Sequence, residues 1–457
     1  MNFSIKRLGK IKEAEFALNK LTVFCGHNNT NKTYLTYSLY SFFSYMKESK
    51  YSLSYLGEKF QILFKTYSVD IDIEDIINAI ENSILNDFSK KIYSYLALRK
   101  ELVLDTEFST SMIRDGIDRN AGFDYSGRIS DKEQFTYTKK QGSNKIKIVY
   151  SKMDISDDSS LKEDLSDKGY ILTLEQHLKF ILKKELFKFI PEPHISSVER
   201  TGISVFEHEL ENQSENGLSL LFGGPRKDNK VNSSKKTFSY PQAVIENIRT
   251  VKNHKELSKF KSKLFEDRPD IISYFSSIIN GSFSVNDTRG TTYNPNGTSE
   301  QLFLIESSSS IRSLLDLGMY LHHIADKDQI LIIDEPEMNL HPDNQRKLAR
   351  LIAMIIDYGI YVLVTTHSDF ITRELSLLIM LSDTERKQRL LNNEFLQEEG
   401  YEIKHSIPAN YINVYSIYSE NNESFVNKEA VSIDEGFNIT SFESAIDKMN
   451  NVYSLLL

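Results

Sequence analysis

A chain of 457 residues, 40% hydrophobic and 26% charged, can bury a large core and is long enough for more than one domain or lobe. Its formal net charge of −9 excludes a surface coated throughout with positive charge for nucleic acid, although a local basic patch remains compatible with it. The single cysteine, Cys25, excludes an intrachain disulfide and fits a reducing cytoplasmic setting.

Met1 to Lys20 mixes charged and apolar residues, unlike a signal peptide. Phe3, Ile5 and Leu8 begin one short strand, Glu15 to Leu18 a second, and Leu21 to Cys25 a compact apolar third. In that third strand Cys25 reads as a packed small residue. A polar loop, Gly26 to Asn31, follows. Leu35, Leu39, Phe42, Phe43 and Met46 then recur at helical spacing, which predicts a helix from Lys32 to about Lys47.

The loop Gly26-His27-Asn28-Asn29-Thr30-Asn31-Lys32-Thr33 matches the phosphate-binding pattern G-x-x-x-x-G-K-[ST] except at Asn31, where a glycine is usual. Glycine serves there because φ is positive, and Asn is among the other residues most willing to adopt that conformation. The nest of backbone N–H groups can therefore survive. Lys32 would reach the β and γ phosphates of ATP, Thr33 would ligate Mg²⁺ through its hydroxyl, and the helix beginning there, with Tyr34 in its first turn, would add its dipole. The bland alternative is a polar strand–helix turn that happens to contain Lys-Thr.

Between about residues 50 and 300 the pattern changes. Ile76, Ile80, Ile84, Phe88, Ile92 and Leu96 form a stripe on a long helix. Phe135–Thr138 and Ile146–Tyr150 predict a hairpin around Gln141–Asn144. Residues 154–167 read as an acidic connector, Thr173 and Gln176 as a capping box for a helix to about Ile190, and Gly223–Lys236 as an exposed loop. Within that loop Arg226, Lys227, Lys230, Lys235 and Lys236 are the clearest basic cluster. It is either a solvated loop or a salt-sensitive contact to nucleic acid.

Regular alternation resumes near residue 300: a helix over Ile311–His323, a strand over Gln329–Ile333, a helix over Asn344–Ile356 and a strand over Ile360–Thr365. Leu351–Thr365 is the most apolar stretch, but Asp357 and Gly359 interrupt it and it falls short of the ~20 residues a membrane span needs. Val414–Tyr418 and Phe425–Ile433 read as a closing hairpin, and a last helix begins at Thr440. Strand–loop–helix units at both ends imply one α/β sheet split in sequence by an insertion.

The apolar strand ending Leu331-Ile332-Ile333 delivers Asp334 and Glu335 to its carboxyl end, where open α/β sheets place ligands. Asp334 suits Mg²⁺, and Glu335 suits a general base or water-orienting group. A helix-capping acid pair is the plainer alternative. His367 closes the next strand about 32 residues later, placed to meet the γ-phosphate or the attacking water. Ser307-Ser308-Ser309-Ser310 precedes a helix, with hydroxyls and free N–H groups suited to an anion. By itself that is an N-capped helix in a serine-rich loop.

In order and character, Gly26–Thr33, Ser307–Ser313, Leu331–Pro342 and Thr366–His367 resemble the motifs of ABC-type ATPases of the RecF/SMC/OLD-like branch, often grouped as AAA-family ATPases. The resemblance covers about residues 1–48 and 300–457, with Val198–Gly202 as a further element near the core. It implies an ABC-type P-loop core over those two stretches and a large, mainly helical mixed α/β insertion over 49–299, part of which, about 190–225, returns to the core.

The family further implies a homodimer or higher homo-oligomer with composite ATP sites. In each, Ser307, Ser308 and Ser309 of one copy would touch the nucleotide held by the other. Compact length and the Asn-rich loop followed by Thr-Tyr-Leu most resemble stand-alone ATPases of bacterial phage-defence systems such as Septu, PARIS and retron-linked systems. These act with a separately encoded effector, here expected to be an HNH or TOPRIM-type nuclease, and answer a nucleic-acid or phage-derived trigger. Two departures stand out: Asn31 for glycine, and a serine-rich signature without the usual glycine. Competing expectations are a DNA-repair or chromosome-maintenance ATPase, and an ATP-binding scaffold with slow turnover. No membrane partner is expected.

Overall fold

The computed structural model describes residues 1–130, 133–152, 168–206, 240–286 and 290–456. The acidic connector 154–167 and the basic cluster Arg226, Lys227, Lys230, Lys235 and Lys236 lie outside the described residues. The chain divides into two compact units. One comprises Met1–Ile5, Phe42–Lys91 and Asp105–Pro191; the other comprises Lys6–Ser41, Ile92–Leu104 and Glu192–Leu457.

The second unit is a mixed α/β structure. Its sheet runs in the spatial order Ile11–Ala17, Glu423–Lys428, Ile412–Glu420, Leu21–Gly26, Tyr361–Thr366, Gln329–Asp334, Glu192–Ser196. From Ile412–Glu420 to Glu192–Ser196 every neighbouring pair is parallel. Strands in such a sheet are covered on both faces, so they read as unbroken apolar runs, and all six residues of Leu21–Gly26 are buried. Register pairs Val23 with Val364 and Ile333 with Val364. The Tyr361–Thr366 strand therefore lies between the strand that feeds the loop at Gly26 and the strand that ends at Asp334.

Helices Pro342–Tyr358, Asp369–Met380 and Ser309–His323 pack their apolar faces into the core with Leu21, Val23, Leu331, Ile333, Val362 and Val364. Their starts follow local chemistry. His341 caps the first of these helices with Pro342 at its first position, and Ser368 and Ser308 cap the other two. The apolar stretch at Leu351–Thr365 resolves into a helix end and a strand, with Gly359 turning between them. Among the described residues no helix is long and apolar enough to cross a membrane.

The first unit holds a four-stranded antiparallel sheet in the order Ser68–Asp72, Lys145–Lys152, Glu133–Lys139, Phe123–Ser130. The hairpin expected around Gln141–Asn144 is present, with Phe135 opposite Tyr150.

Two local expectations change. All six residues of the Ile76–Leu96 stripe are buried. However, a strict four-residue spacing drifts by ~40° per step on a 3.6-residue helix, and one π turn, Ile84–Phe88, takes up part of that drift. Thr173 does not cap a helix. It lies inside Lys168–Ile181, and its hydroxyl donates to the Gly169 carbonyl one turn back at 3.0 Å.

Candidate functional site

Because the three central strands are parallel and adjacent, their carboxyl ends meet on one edge of the sheet. Gly26 with its loop, Asp334-Glu335 and Thr366-His367 all emerge there. Gly26 is obligatory: φ is +143°, and a Cβ would stand 2.0 Å from the Ile417 carbonyl oxygen of the next strand. Asn29 and Asn31 take φ of +64° and +65°, so the Asn at the missing-glycine position adopts the left-handed conformation expected of it. The Asn31 and Tyr34 side chains crowd over Gly9, where a Cβ would come within 2.3 Å of Asn31 Nδ2.

His27, Asn28 and Asn29 are exposed at the loop tip, while Thr30 is buried and donates to the His27 carbonyl. Lys32 folds back into the loop. Its Nζ donates to the carbonyls of Gly26 at 3.0 Å and His27 at 2.7 Å, and to Thr30 Oγ1 at 3.3 Å. Burial pushes its pKa down to about 8, opposed by the nearby carboxylates of Glu335, Asp334 and Glu337.

Asp334 is fully buried. Its Oδ1 accepts from the Thr365 hydroxyl, and its Oδ2 makes no hydrogen bond. Burial pushes its pKa up to about 6, while the Thr365 and Thr33 hydroxyls facing it pull the other way. Glu335 sits at φ +50°, and its N–H donates to Thr365 Oγ1 at 3.1 Å and to the Thr365 carbonyl at 3.2 Å. Its carboxylate meets His367 Nε2 at 3.3 Å. That contact holds the Glu335 carboxyl below its ordinary range, against partial burial.

Three contributors were given no role from the sequence. Thr365 ties both acids to the neighbouring strand. Glu337 Oε1 accepts from Thr366 Oγ1 at 2.9 Å and from the His367 N–H at 2.5 Å, fixing the backbone that carries the imidazole. Arg200 is buried, and its guanidinium donates to the carbonyl oxygens of Asp334 and Glu335, each at 2.6 Å. The signal for Arg200 lay in Val198–Gly202; that for Glu337 lay in the second acid of Asp-Glu-Pro-Glu.

The structure thus brings together Gly26–Thr33, Asp334, Glu335 and His367. Ser307–Ser309 stand apart, with their hydrogen bonds kept within residues 303–313. Ser308 caps the Ser309–His323 helix through the Ile311 N–H.

The profile of the AAA ATPase domain family matches residues 1–372. The chain belongs to this AAA ATPase family. No curated protein matches it significantly. Among solved structures, the SMC head bound to the C-winged helix domain of ScpA aligns with TM-score 0.36 and 9% identity, over 93% of this chain and 96% of that one. The SMC head domain from Thermotoga maritima aligns with TM-score 0.30 and 9% identity, over 94% and 98%. An SMC head with an extended coiled coil, bound to the C-terminal domain of ScpA derived from Pyrococcus furiosus, aligns with TM-score 0.33 and 11% identity, over 99% and 98%. The membership of this AAA ATPase domain rests on the family profile and its motifs.

The chain also bears on the choice of metal. A buried carboxylate with one oxygen, Asp334 Oδ2, that makes no hydrogen bond, beside the Thr33 hydroxyl at the start of the phosphate-loop helix, fits Mg²⁺ held beside a triphosphate. Cys25 is not part of this chemistry. It is buried, donates to the Tyr415 carbonyl at 3.3 Å, and has its pKa pushed up to about 12.

Proposed function

We propose that this AAA ATPase binds and hydrolyses ATP with Mg²⁺ in composite sites between copies of an ABC-type core, and that turnover regulates a separately encoded effector nuclease in antiphage defence. The observation that carries the hydrolytic half is the 3.3 Å contact between Glu335 and His367, on the same sheet edge as Lys32 and Asp334.

Each residue has a defined task. Lys32 exchanges its three loop oxygens for β- and γ-phosphate oxygens. The N–H groups of Gly26–Thr33 cradle the phosphates, and Thr33 and Asp334 hold the metal. Mg²⁺ neutralises charge on the phosphates when bound. Glu335 takes a proton from the attacking water, and His367 fixes its carboxylate and faces the γ-phosphate. Ser307–Ser309 of a second copy close the site. Phe303 and Ile305, 42% and 69% exposed beside those serines, support a face that another molecule covers.

The defence half is supported by the Asn-rich loop and its Thr-Tyr-Leu continuation. The inserted region, about 49–299, is available for a trigger or an effector.

Glu335→Gln tests the catalytic assignment: it should retain ATP and trap the closed assembly, while Lys32→Ala should lose nucleotide. Wild-type turnover in Glu335→Gln would sink the assignment. For the biological role, co-purification with an HNH or TOPRIM-type nuclease supports defence. A lone protein that binds DNA only with ATP would favour repair or chromosome maintenance instead.

A further inference from the structure

Arg200 makes an unusual set of bonds. It is 4% exposed, and four of the five guanidinium N–H groups find main-chain carbonyls on three separate segments. Nε donates to Ser313 at 2.9 Å. Nη1 donates to Ser197 at 2.9 Å and to Asp334 at 2.6 Å. Nη2 donates to Glu335 at 2.6 Å. Burying a guanidinium is costly, and an apolar residue of similar volume often supports a fold equally well. The carbonyl cage, with Asp316, Asp334 and Glu337 close by, offsets part of that cost. What the arginine adds is a rigid planar fork joining segments that no side chain of one strand could join.

We propose that Arg200 is a positioning residue that couples the serine-rich helix start to the acidic strand end, so that a ligand met by Ser307–Ser309 resets the Glu335–His367 pair. This deepens the composite-site reading and rests on it. The path is short and bonded throughout. Ser308 caps the helix, and Ser313 lies in its early turns. The Ser313 carbonyl is held by Nε, while Nη2 holds the carbonyl of Glu335. Glu335 is also in the left-handed region at φ +50°, a conformation that persists only while neighbours enforce it. Arg200 and Thr365 are the neighbours that grip it, from its carbonyl and its N–H respectively. A shift of about 1 Å at the helix start, typical of helix movements in switching proteins, is therefore passed on to the group that aims the attacking water. Each copy would sense the nucleotide of its partner through the serines and answer at its own acid pair.

The test is a double-mutant cycle on the full-length assembly, read by ATP turnover and ATP affinity. Ser309 is exposed, so Ser309→Glu places repulsive charge at the helix start without disturbing the core. Alone it should lower turnover about tenfold or more. Arg200→Lys keeps the charge but not the fork. It should lower kcat by roughly 10²-fold, the cost of a 1 Å misplacement, with ATP affinity nearly unchanged. With the link cut, the part of the Ser309→Glu effect that passes through Arg200 is lost, so the pair departs from multiplicativity by about fivefold or more. A merely structural role would leave the two effects multiplicative, and that result overturns the proposal. If Ser309→Glu is silent alone, the composite-site reading fails first and takes the link with it. If Arg200→Lys does not fold, the same link is read with Arg200 intact. With ATP bound in a Glu335→Gln background, Ser309→Glu should raise hydrogen exchange at the Met338 and Leu340 amides, which donate to the carbonyls of residue 335 at 3.2 Å and Glu337 at 3.0 Å, as well as in its own helix. Unchanged exchange at those two amides overturns the proposal.

Discussion

His367 Nε2 stands 3.3 Å from Glu335 Oε1, and this contact is the largest cause of the lowered Glu335 pKa. A base must be ionised to accept a proton, so the pairing keeps Glu335 competent toward lower pH. In His367→Ala that help is lost and the Glu335 pKa rises. The acid limb of the turnover profile should then move toward neutrality, and kcat should fall by roughly 10²-fold. Phosphate release measured across the acid range checks both. An acid limb that stays in place while kcat falls would mean that His367 acts on the phosphate and not through Glu335.

Asn31 is the one departure in the phosphate loop, and its φ of +65° explains why it works. Asn31→Gly should retain ATP affinity within about threefold, because glycine enters the same conformation freely. Asn31→Val should cost about 1–2 kcal/mol of loop strain, since a β-branched side chain resists positive φ. A matching loss of affinity should appear in a nucleotide titration. Equal binding by both variants would show that the loop does not need this conformation when it holds phosphate.

The contrast between Asn31 and Arg200 shows what a sequence discloses here. The loop was legible because strand, turn and helix each carry a local signal: Leu21–Cys25 is apolar, Gly26 punctuates, and Leu35 to Met46 repeat at helical spacing. Asp334 and Glu335 stood out for the same reason, as charge at the end of a buried run. Arg200 fell inside the Val198–Gly202 element, but its role was not legible, because a buried arginine resembles a surface one until the carbonyls of Ser313, Asp334 and Glu335, more than a hundred residues away, fold around it. Glu192–Ser196 was read only as part of a stretch, about 190–225, that returns to the core. It is a sheet strand paired with Gln329–Asp334, yet Glu-Pro-His-Ile-Ser lacks the apolar run that marks the other central strands. The π turn at Ile84–Phe88 and the misplaced cap at Thr173 failed differently. Spacing alone does not distinguish four residues per turn from 3.6, and a Thr-x-x-Gln pattern inside a longer helix looks like a start.

Lys32 provides a proton-linked prediction. Its pKa is lowered to about 8, because burial disfavours the ammonium more than the nearby acids favour it. Triphosphate binds the charged form, so bound nucleotide raises the pKa again. At pH above about 8, ATP binding should therefore be accompanied by proton uptake, and affinity should decline as pH rises further. At pH 7 the lysine is already largely charged and uptake on this account should be small. Calorimetry of ATP binding in buffers of different ionisation enthalpy reads the proton count directly. Zero uptake at pH 9 in wild type, matching Lys32→Arg, would remove Lys32 as the titrating group.

Glu374 tests what holds the helices behind the site. It is 1% exposed on Asp369–Met380, and it accepts from Arg350 Nε at 2.6 Å, from Arg346 Nε at 3.0 Å and from the Tyr401 hydroxyl at 3.1 Å. Arg350 is itself 3% exposed on Pro342–Tyr358, so the pair clamps two helices whose apolar faces join the sheet core. Removing one member of a buried pair strands the other charge, which costs about 3–5 kcal/mol. Glu374→Ala should lose stability on that scale in urea unfolding. Arg346→Ala should lose about 1 kcal/mol or less, because the Arg346 side chain is 30% exposed and water can replace its bond. Glu374→Gln should fall between, since its amide oxygen still accepts but no longer balances the guanidinium. If Glu374→Ala and Arg346→Ala proved equally mild, the remaining Arg350 bond to the Glu399 carbonyl at 2.7 Å would be enough to settle the buried charge, and the clamp would lie elsewhere.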